Sequence, residues 1–224
     1  MMNFIPCIDS KKGEADLGEA LIKALKSGKR TLWTLPGGTN VPIANSVLRK
    51  IKEILSESEL KNLVIMQCDE RYGPKGHKDS NWAQLLDLHF PIENIENYPL
   101  LVDLPLLQTA EKYGEIVKEQ FKKAEIIIGQ FGIGADGHIA GILPKSPALK
   151  ATKPVVGYEK GGAFTRLSIT PNYLLQITEA YVFAFGPSKR EAIQKLKNNK
   201  ESVENLPAIL FYEIPKVNFY TDQV

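Results

Sequence analysis

Residues 124–138 read Ala124-Glu125-Ile126-Ile127-Ile128-Gly129-Gln130-Phe131-Gly132-Ile133-Gly134-Ala135-Asp136-Gly137-His138. A short apolar run closed by a Gly-rich turn predicts a buried strand that delivers a loop to one edge of a sheet. The loop carries one carboxylate, Asp136, and one imidazole, His138. Imidazole has an ordinary pKa of about 6.5, so it exchanges protons near neutral pH. The glycines allow backbone N–H groups to come close to a ligand. A lone histidine is commonly structural, but one beside a carboxylate at a strand's carboxyl end is placed for acid–base chemistry. Asp136 either orients the ring or holds the loop by accepting backbone N–H bonds.

Outward from this strand, helix-like and strand-like segments alternate. Leu17, Leu21 and Leu25 fall four apart and predict a helix over Glu14–Lys26. Thr31–Leu35 reads as a strand. The helix after it runs from about Pro42 to Leu55, with Thr39 or Asn40 as its cap and Pro42 in its first turn. Asn62–Gln67 is a second apolar strand, followed by helices over Ser80–Leu88 and Thr109–Lys122. Beyond the quoted stretch, Arg166–Thr170, Tyr181–Phe185 and Val217–Tyr220 read as strands. Ser188–Lys197 reads as a helix and Asn205–Glu213 as a further helical segment. Gly161-Gly162 reads as part of a long loop. This alternation predicts an α/β fold: one domain over residues 1–224, three layers αβα, with a mostly parallel Rossmann-like sheet. No internal repeat, low-complexity segment or linker divides it.

Bulk properties narrow the function. The chain has 224 residues, 28 basic and 26 acidic, for a net charge of only +2. That balance gives no reason to expect nucleic acid or an anionic membrane as partner. A small phosphorylated ligand needs only local positive charge and stays open. No apolar run approaches the ~20 residues of a membrane span. Met1-Met2-Asn3-Phe4-Ile5-Pro6 lacks the parts of a signal peptide. Cys7 and Cys68 have no metal-type spacing, so neither a metal nor another cofactor is expected, and a reduced cytoplasmic setting is. A monomer or a homodimer is expected.

Ligands of open α/β sheets bind outside the carboxyl ends of strands. Three charged or Gly-rich loops follow such ends here, so their side chains are expected in one cleft. Leu35-Pro36-Gly37-Gly38-Thr39-Asn40 leads into a helix, where free N–H groups and the helix dipole suit an anion; a plain tight turn fits equally. In Asp69-Glu70-Arg71-Tyr72, Arg71 either offers a planar fork to a phosphate or pairs with Asp69 to hold the loop. His77 reads as a loop histidine, and Asp79 and Ser80 as helix caps. The third loop is that of Asp136 and His138. A fourth turn, Gly186-Pro187-Ser188-Lys189, puts a lysine in a first helical turn, where a cation opposes the dipole unless an anion lies between them. Arg166 at a strand start fits a solvated side chain or a ligand contact.

Read together, these segments resemble the 6-phosphogluconolactonase and glucosamine-6-phosphate isomerase (deaminase) superfamily over nearly the whole chain. Leu35–Asn40 is similar to the family's Ser-Gly-Gly-Ser/Thr loop. Asp69-Glu70-Arg71-Tyr72 with His77, Asp79, Ser80 and Asn81 is similar to its Asp-Glu-Arg-Tyr...His-x-Asp-Ser-Asn segment. Gly132–Pro147 resembles its Gly-x-Gly-x-Asp-Gly-His...Pro-Gly-Ser-Pro stretch, and Arg166–Thr170 and Gly186–Lys189 its later strand and Gly-x-x-Lys turn. The Asp-Glu-Arg-Tyr form points to the lactonase branch. The isomerase branch has Asn-Glu-Pro with a glutamate assisting ring opening, where this chain has Leu143. Ile139-Ala140 is isomerase-like instead, and Lys145 and Asn40 depart from the family's usual Gly and Pro.

The resemblance implies a hydrolase of carbohydrate metabolism that opens 6-phosphogluconolactone in the pentose phosphate pathway. It implies His138 as general base, Asp136 orienting it and Asp69 beside them. It also implies Gly37, Gly38, Thr39, Arg71, Arg166 and Lys189 around a sugar phosphate, the expected small-molecule partner. Backbone N–H groups near Gly137 are expected to face the developing oxyanion. Alternatives are glucosamine-6-phosphate deamination with isomerisation, or sugar-phosphate binding without turnover.

Overall fold

The computed structural model describes residues 2–160, 162 and 164–223. Ten strands run in chain order: β1 (Met2–Pro6), β2 (Thr31–Leu35), β3 (Leu63–Gln67), β4 (Asp69–Arg71), β5 (Glu96–Tyr98), β6 (Ile126–Phe131), β7 (Val155–Tyr158), β8 (Arg166–Ile169), β9 (Glu179–Ala184) and β10 (Lys216–Thr221). The α-helices are α1 (Lys11–Lys26), α2 (Val41–Ile54), α3 (Glu57–Leu60), α4 (Asn81–Asp87), α5 (Leu106–Lys123), α6 (Pro171–Leu174) and α7 (Arg190–Asn198).

Seven strands form one sheet in the order β1-β10-β9-β6-β2-β3-β5, with every pairing parallel. Side chains alternate across a strand, so a sheet covered on both faces feeds two cores. In β9, Ala180, Val182 and Ala184 join the core under α5 and α7, whereas Tyr181 and Phe183 join that under α1 and α2. In β2, Leu32 goes to the first core and Trp33 and Leu35 to the second. The two cores and the sheet between them are the three layers expected from the alternation.

Three findings depart from the expectations. Asp69–Arg71, expected as a loop, is strand β4, and Arg166–Ile169 does not join the parallel sheet. Both belong to a small antiparallel sheet, β4-β8-β7. Polar Asp-Glu-Arg hides β4 from an apolar-run criterion, although its Glu70 is fully buried. The segment read as helical over Asn205–Glu213 is a 3-10 helix, Pro207–Glu213. Gly161 of the Gly161-Gly162 loop lies outside the described residues.

The order in which the chain adds strands reverses at β2, which pairs with β3 on one side and β6 on the other. Such a switch point opens a crevice at the strands' carboxyl ends. The loops after β2 and β6 border it. Among the described residues, no helix is long and apolar enough to cross a membrane.

Candidate active site

A cleft of about 940 Å³ lies at this edge. It is lined by Gly37, Gly38, Thr39, Asp69, Arg71, His138, Arg166 and Lys189. Eight of the nine residues singled out in the sequence therefore meet in one hollow. The ninth, Asp136, stands behind His138.

The loop after β6 is built around that pair. His138 Nδ1 lies 2.6 Å from Asp136 Oδ1, and the His138 backbone N–H also donates to Oδ1 at 3.2 Å. Asp136 thus both orients the ring and holds the loop. Gly134 leaves the room for it, because a Cβ there would lie 2.0 Å from His138 Nδ1. Partial burial pushes the Asp136 carboxyl up, but the hydrogen bond and charge of His138 outweigh this and hold it at about 2. Asp136 is therefore a carboxylate at neutral pH and only accepts hydrogen bonds. Facing an acceptor, Nδ1 is the donor of this pair, so in a neutral ring the lone pair falls to Nε2.

Of the N–H groups near Gly137, that of Gly137 itself donates to Gly134 O at 3.0 Å and that of His138 to Asp136 Oδ1, so neither is free for a ligand. Further along, Ala140 lines the cleft with a left-handed φ of 48°. The bridge between Ile139 and Ile142, Gly141 N–H on Ser168 Oγ and the Tyr158 hydroxyl on Gly141 O fix this turn.

The loop after β2 is shaped by tight contacts. Gly38 has a φ of 63°, a conformation natural to glycine. A Cβ on Gly37 would overlap the Asn81 side chain at 2.0 Å. Asn40 occupies the N-cap position of α2 but caps nothing; its Nδ2 donates to Phe183 O at 3.3 Å. Its carbonyl accepts from Gln130 Nε2. The cap expected of Thr39 or Asn40 is thus replaced by a tie to the neighbouring strands. Ser80 does cap α4, accepting from Ala83 N–H at 3.1 Å, whereas Asp79 offers only its carbonyl, which takes Arg71 Nη1 at 3.0 Å. His77 Nε2 is 2.9 Å from Arg71 O, a loop-anchoring contact.

A residue the motif contained but the reading assigned no role is Glu70. Fully buried, its carboxylate accepts from five donors: Gln67 Nε2, Arg71 N–H, Ser80 Oγ–H, Asn81 N–H and Trp82 N–H, at 2.7–3.0 Å. Two of these are free N–H groups of the α4 start, which a carboxylate satisfies well. Glu70 thereby fixes β4, and with it the flanking Asp69 and Arg71.

The cations of the cleft make no direct ion pair among the described residues. Arg71 and Arg166 are directly paired across β4 and β8. Like charges placed so repel. Among the described residues neither arginine, nor Lys189, is within ion-pair distance of a carboxylate; the ion pair considered for Asp69 and Arg71 does not form. Arg71 Nε is buried without a hydrogen-bond partner. With Nη1 on Asp79 O and Nε buried, Nη2 is the guanidinium nitrogen left to a ligand, near the Gly38 turn. Lys189 is the N-cap of α7, one position before the first turn expected for it, at the end of the 3-10 turn Pro187–Lys189. Asp69 is buried, which pushes its carboxyl above the usual range, against the pull of Arg71, Arg166 and His138. Among the described residues, no group of three or more His, Cys, Asp or Glu is placed to hold a metal ion.

Comparison with known proteins agrees with this architecture. Residues 10–217 match the family model described as glucosamine-6-phosphate isomerases/6-phosphogluconolactonase, and the chain belongs to that family. It is 30% identical over 154 residues to a probable 6-phosphogluconolactonase of Dictyostelium discoideum, covering 62% of this chain and 64% of that one. The match therefore spans less than two thirds of that relative's length. A glucosamine-6-phosphate deaminase of Staphylococcus epidermidis is 27% identical over 209 residues, 83% of this chain and 82% of that one. Among solved structures, a 6-phosphogluconolactonase of Shewanella baltica shares the fold with a TM-score of 0.78 at 18% identity, over 99% of this chain and 98% of that one.

Proposed function

We propose that the protein hydrolyses 6-phosphogluconolactone to 6-phosphogluconate, as a hydrolase of the pentose phosphate pathway. The observation that carries this reading is the joint lining of one cleft by an imidazole, with Nδ1 on Asp136, and by three cations that have no carboxylate partner among the described residues.

In this reading the phosphate lies against Arg71 Nη2 and the Gly38-Thr39 turn, with Lys189 and Arg166 adding positive charge. Binding at that distant group positions the lactone carbonyl. A water attacks the carbonyl carbon while His138 Nε2 takes its proton, and Asp136 stabilises the imidazolium. The tetrahedral intermediate collapses with cleavage of the ring C–O bond, and the proton passes from His138 to the departing ring oxygen. Asp69 stands at the same wall as a second carboxyl group.

The deaminase alternative loses support at Leu143. The position where the resemblance puts the ring-opening glutamate holds a leucine packed against the core, outside the cleft lining. Proton NMR of 6-phosphogluconolactone with and without the protein tests the proposal. Ring opening well above the uncatalysed rate is expected, with no ammonia released from glucosamine 6-phosphate. Ammonia release would establish the deaminase, and tight sugar-phosphate binding without turnover would establish a binding protein.

A further inference from the structure

Arg71 is held in an unusual way for an arginine offered to a ligand. Its Nη1 is spent on Asp79 O, its Nε is buried and unpartnered, and no carboxylate fixes its plane. What holds it instead is an aromatic ring: the Arg71 Cζ stands over Phe164, 5.4 Å from the ring centroid. Phe164 is 36% exposed and does not line the cleft. Its link to the cleft is Arg71, which lines the hollow and stands over the ring. Its backbone neighbour is anchored, since Tyr72 N–H donates to Thr165 O at 2.9 Å and extends the pairing of β4 with β8.

We propose that Phe164 is a positioning residue for the phosphate-binding arginine. It holds the guanidinium so that Nη2 stays by Gly38, near which it lies. A carboxylate in this role would neutralise Arg71 and compete with the phosphate for its N–H groups. An aromatic face attracts the cation while leaving every in-plane donor free. It also lets Arg71 stand opposite Arg166 in the absence of ligand, by attracting one of the two repelling charges. The inference rests on the phosphate-binding reading of the cleft.

The test uses Phe164→Ala, Phe164→Leu and Phe164→Tyr in the full chain. KM and kcat on 6-phosphogluconolactone are measured, together with the thermal stabilisation given by inorganic phosphate. Loss of a partly exposed cation–π contact predicts a rise of roughly 3- to 10-fold in KM and in the phosphate concentration needed for stabilisation. The effect is expected in both Ala and Leu variants and in KM rather than kcat, with Phe164→Tyr within about twofold of the parent. Leu replaces bulk without a ring, so a Leu variant equal to the parent would reduce Phe164 to packing and overturn the inference. Unchanged KM in both Ala and Leu variants would overturn it as well, while leaving the lactonase reading intact. Conversely, phosphate stabilisation that depends on the ring in a protein without lactone turnover would support the inference and sink the lactonase reading. No stabilisation of the parent by phosphate would overturn the inference.

Discussion

The 2.6 Å contact between His138 Nδ1 and Asp136 Oδ1 decides where protons sit in the cleft. His138→Ala is expected to lower turnover about 10²–10⁴-fold, the range for a lost acid–base group, measured after subtracting spontaneous lactone hydrolysis. Asp136→Asn keeps the shape but permits the wrong tautomer, so a loss of at least about tenfold is expected. The same pair leaves a mark on stability. The Asp136 pKa of about 2 in the folded chain lies below the ~3.9 of an unfolded aspartate. Its contribution is therefore complete above about pH 4 and is lost as pH falls towards 2. Urea unfolding at pH 5 and pH 3 should show the parent losing more stability on acidification than Asp136→Asn. Equal losses would mean that the pair does not hold the loop.

At the scale of elements, the groups that hold β4 and the turn after β6 are tested through stability. Glu70 joins β4 to the start of α4 through five accepted hydrogen bonds. Glu70→Gln sets an amide NH₂ against N–H donors in a fully buried site. A cost of about 2–4 kcal/mol in chemical denaturation is expected. Lys145 presents the opposite case. It is one of the departures from the family pattern, and it has a left-handed φ of 55°, with its N–H on Glu204 O. Glycine adopts that conformation without the ~1–2 kcal/mol steric cost but loses more chain entropy on folding. Lys145→Gly should therefore leave stability unchanged or raise it by up to about 1 kcal/mol, read from the urea midpoint. A clear loss would show that the lysine side chain, and not the backbone, holds this turn.

For the whole molecule, the parallel sheet was readable because strands buried on both faces stand out as apolar runs between amphipathic helices. Ile126–Ile128 and Leu63–Met66 are such runs. The small antiparallel sheet was not readable in β4, where Asp-Glu-Arg gives no apolar signal. The convergence of His138, Arg71 and Lys189 followed from the rule that ligands bind at strand carboxyl ends. The work of Glu70 and Asn40 was hidden, since their partners are distant in sequence: Asn40 reaches Phe183, and Glu70 reaches residues 80–82. Phe164 had no signal in the sequence, because a cation–π contact between residues 71 and 164 exists only in the folded chain. On the proposed function, one cleft couples phosphate recognition to the imidazole. The most direct measurement compares kcat/KM on 6-phosphogluconolactone and on the same lactone without its phosphate, for the parent and for His138→Ala. A preference for the phosphorylated lactone of about 100-fold or more is expected in the parent, as two charge-assisted hydrogen bonds would give, and loss of turnover on both lactones is expected in the variant, in keeping with this coupling. Equal rates on the two lactones, or a His138→Ala protein as fast as its parent, would contradict it.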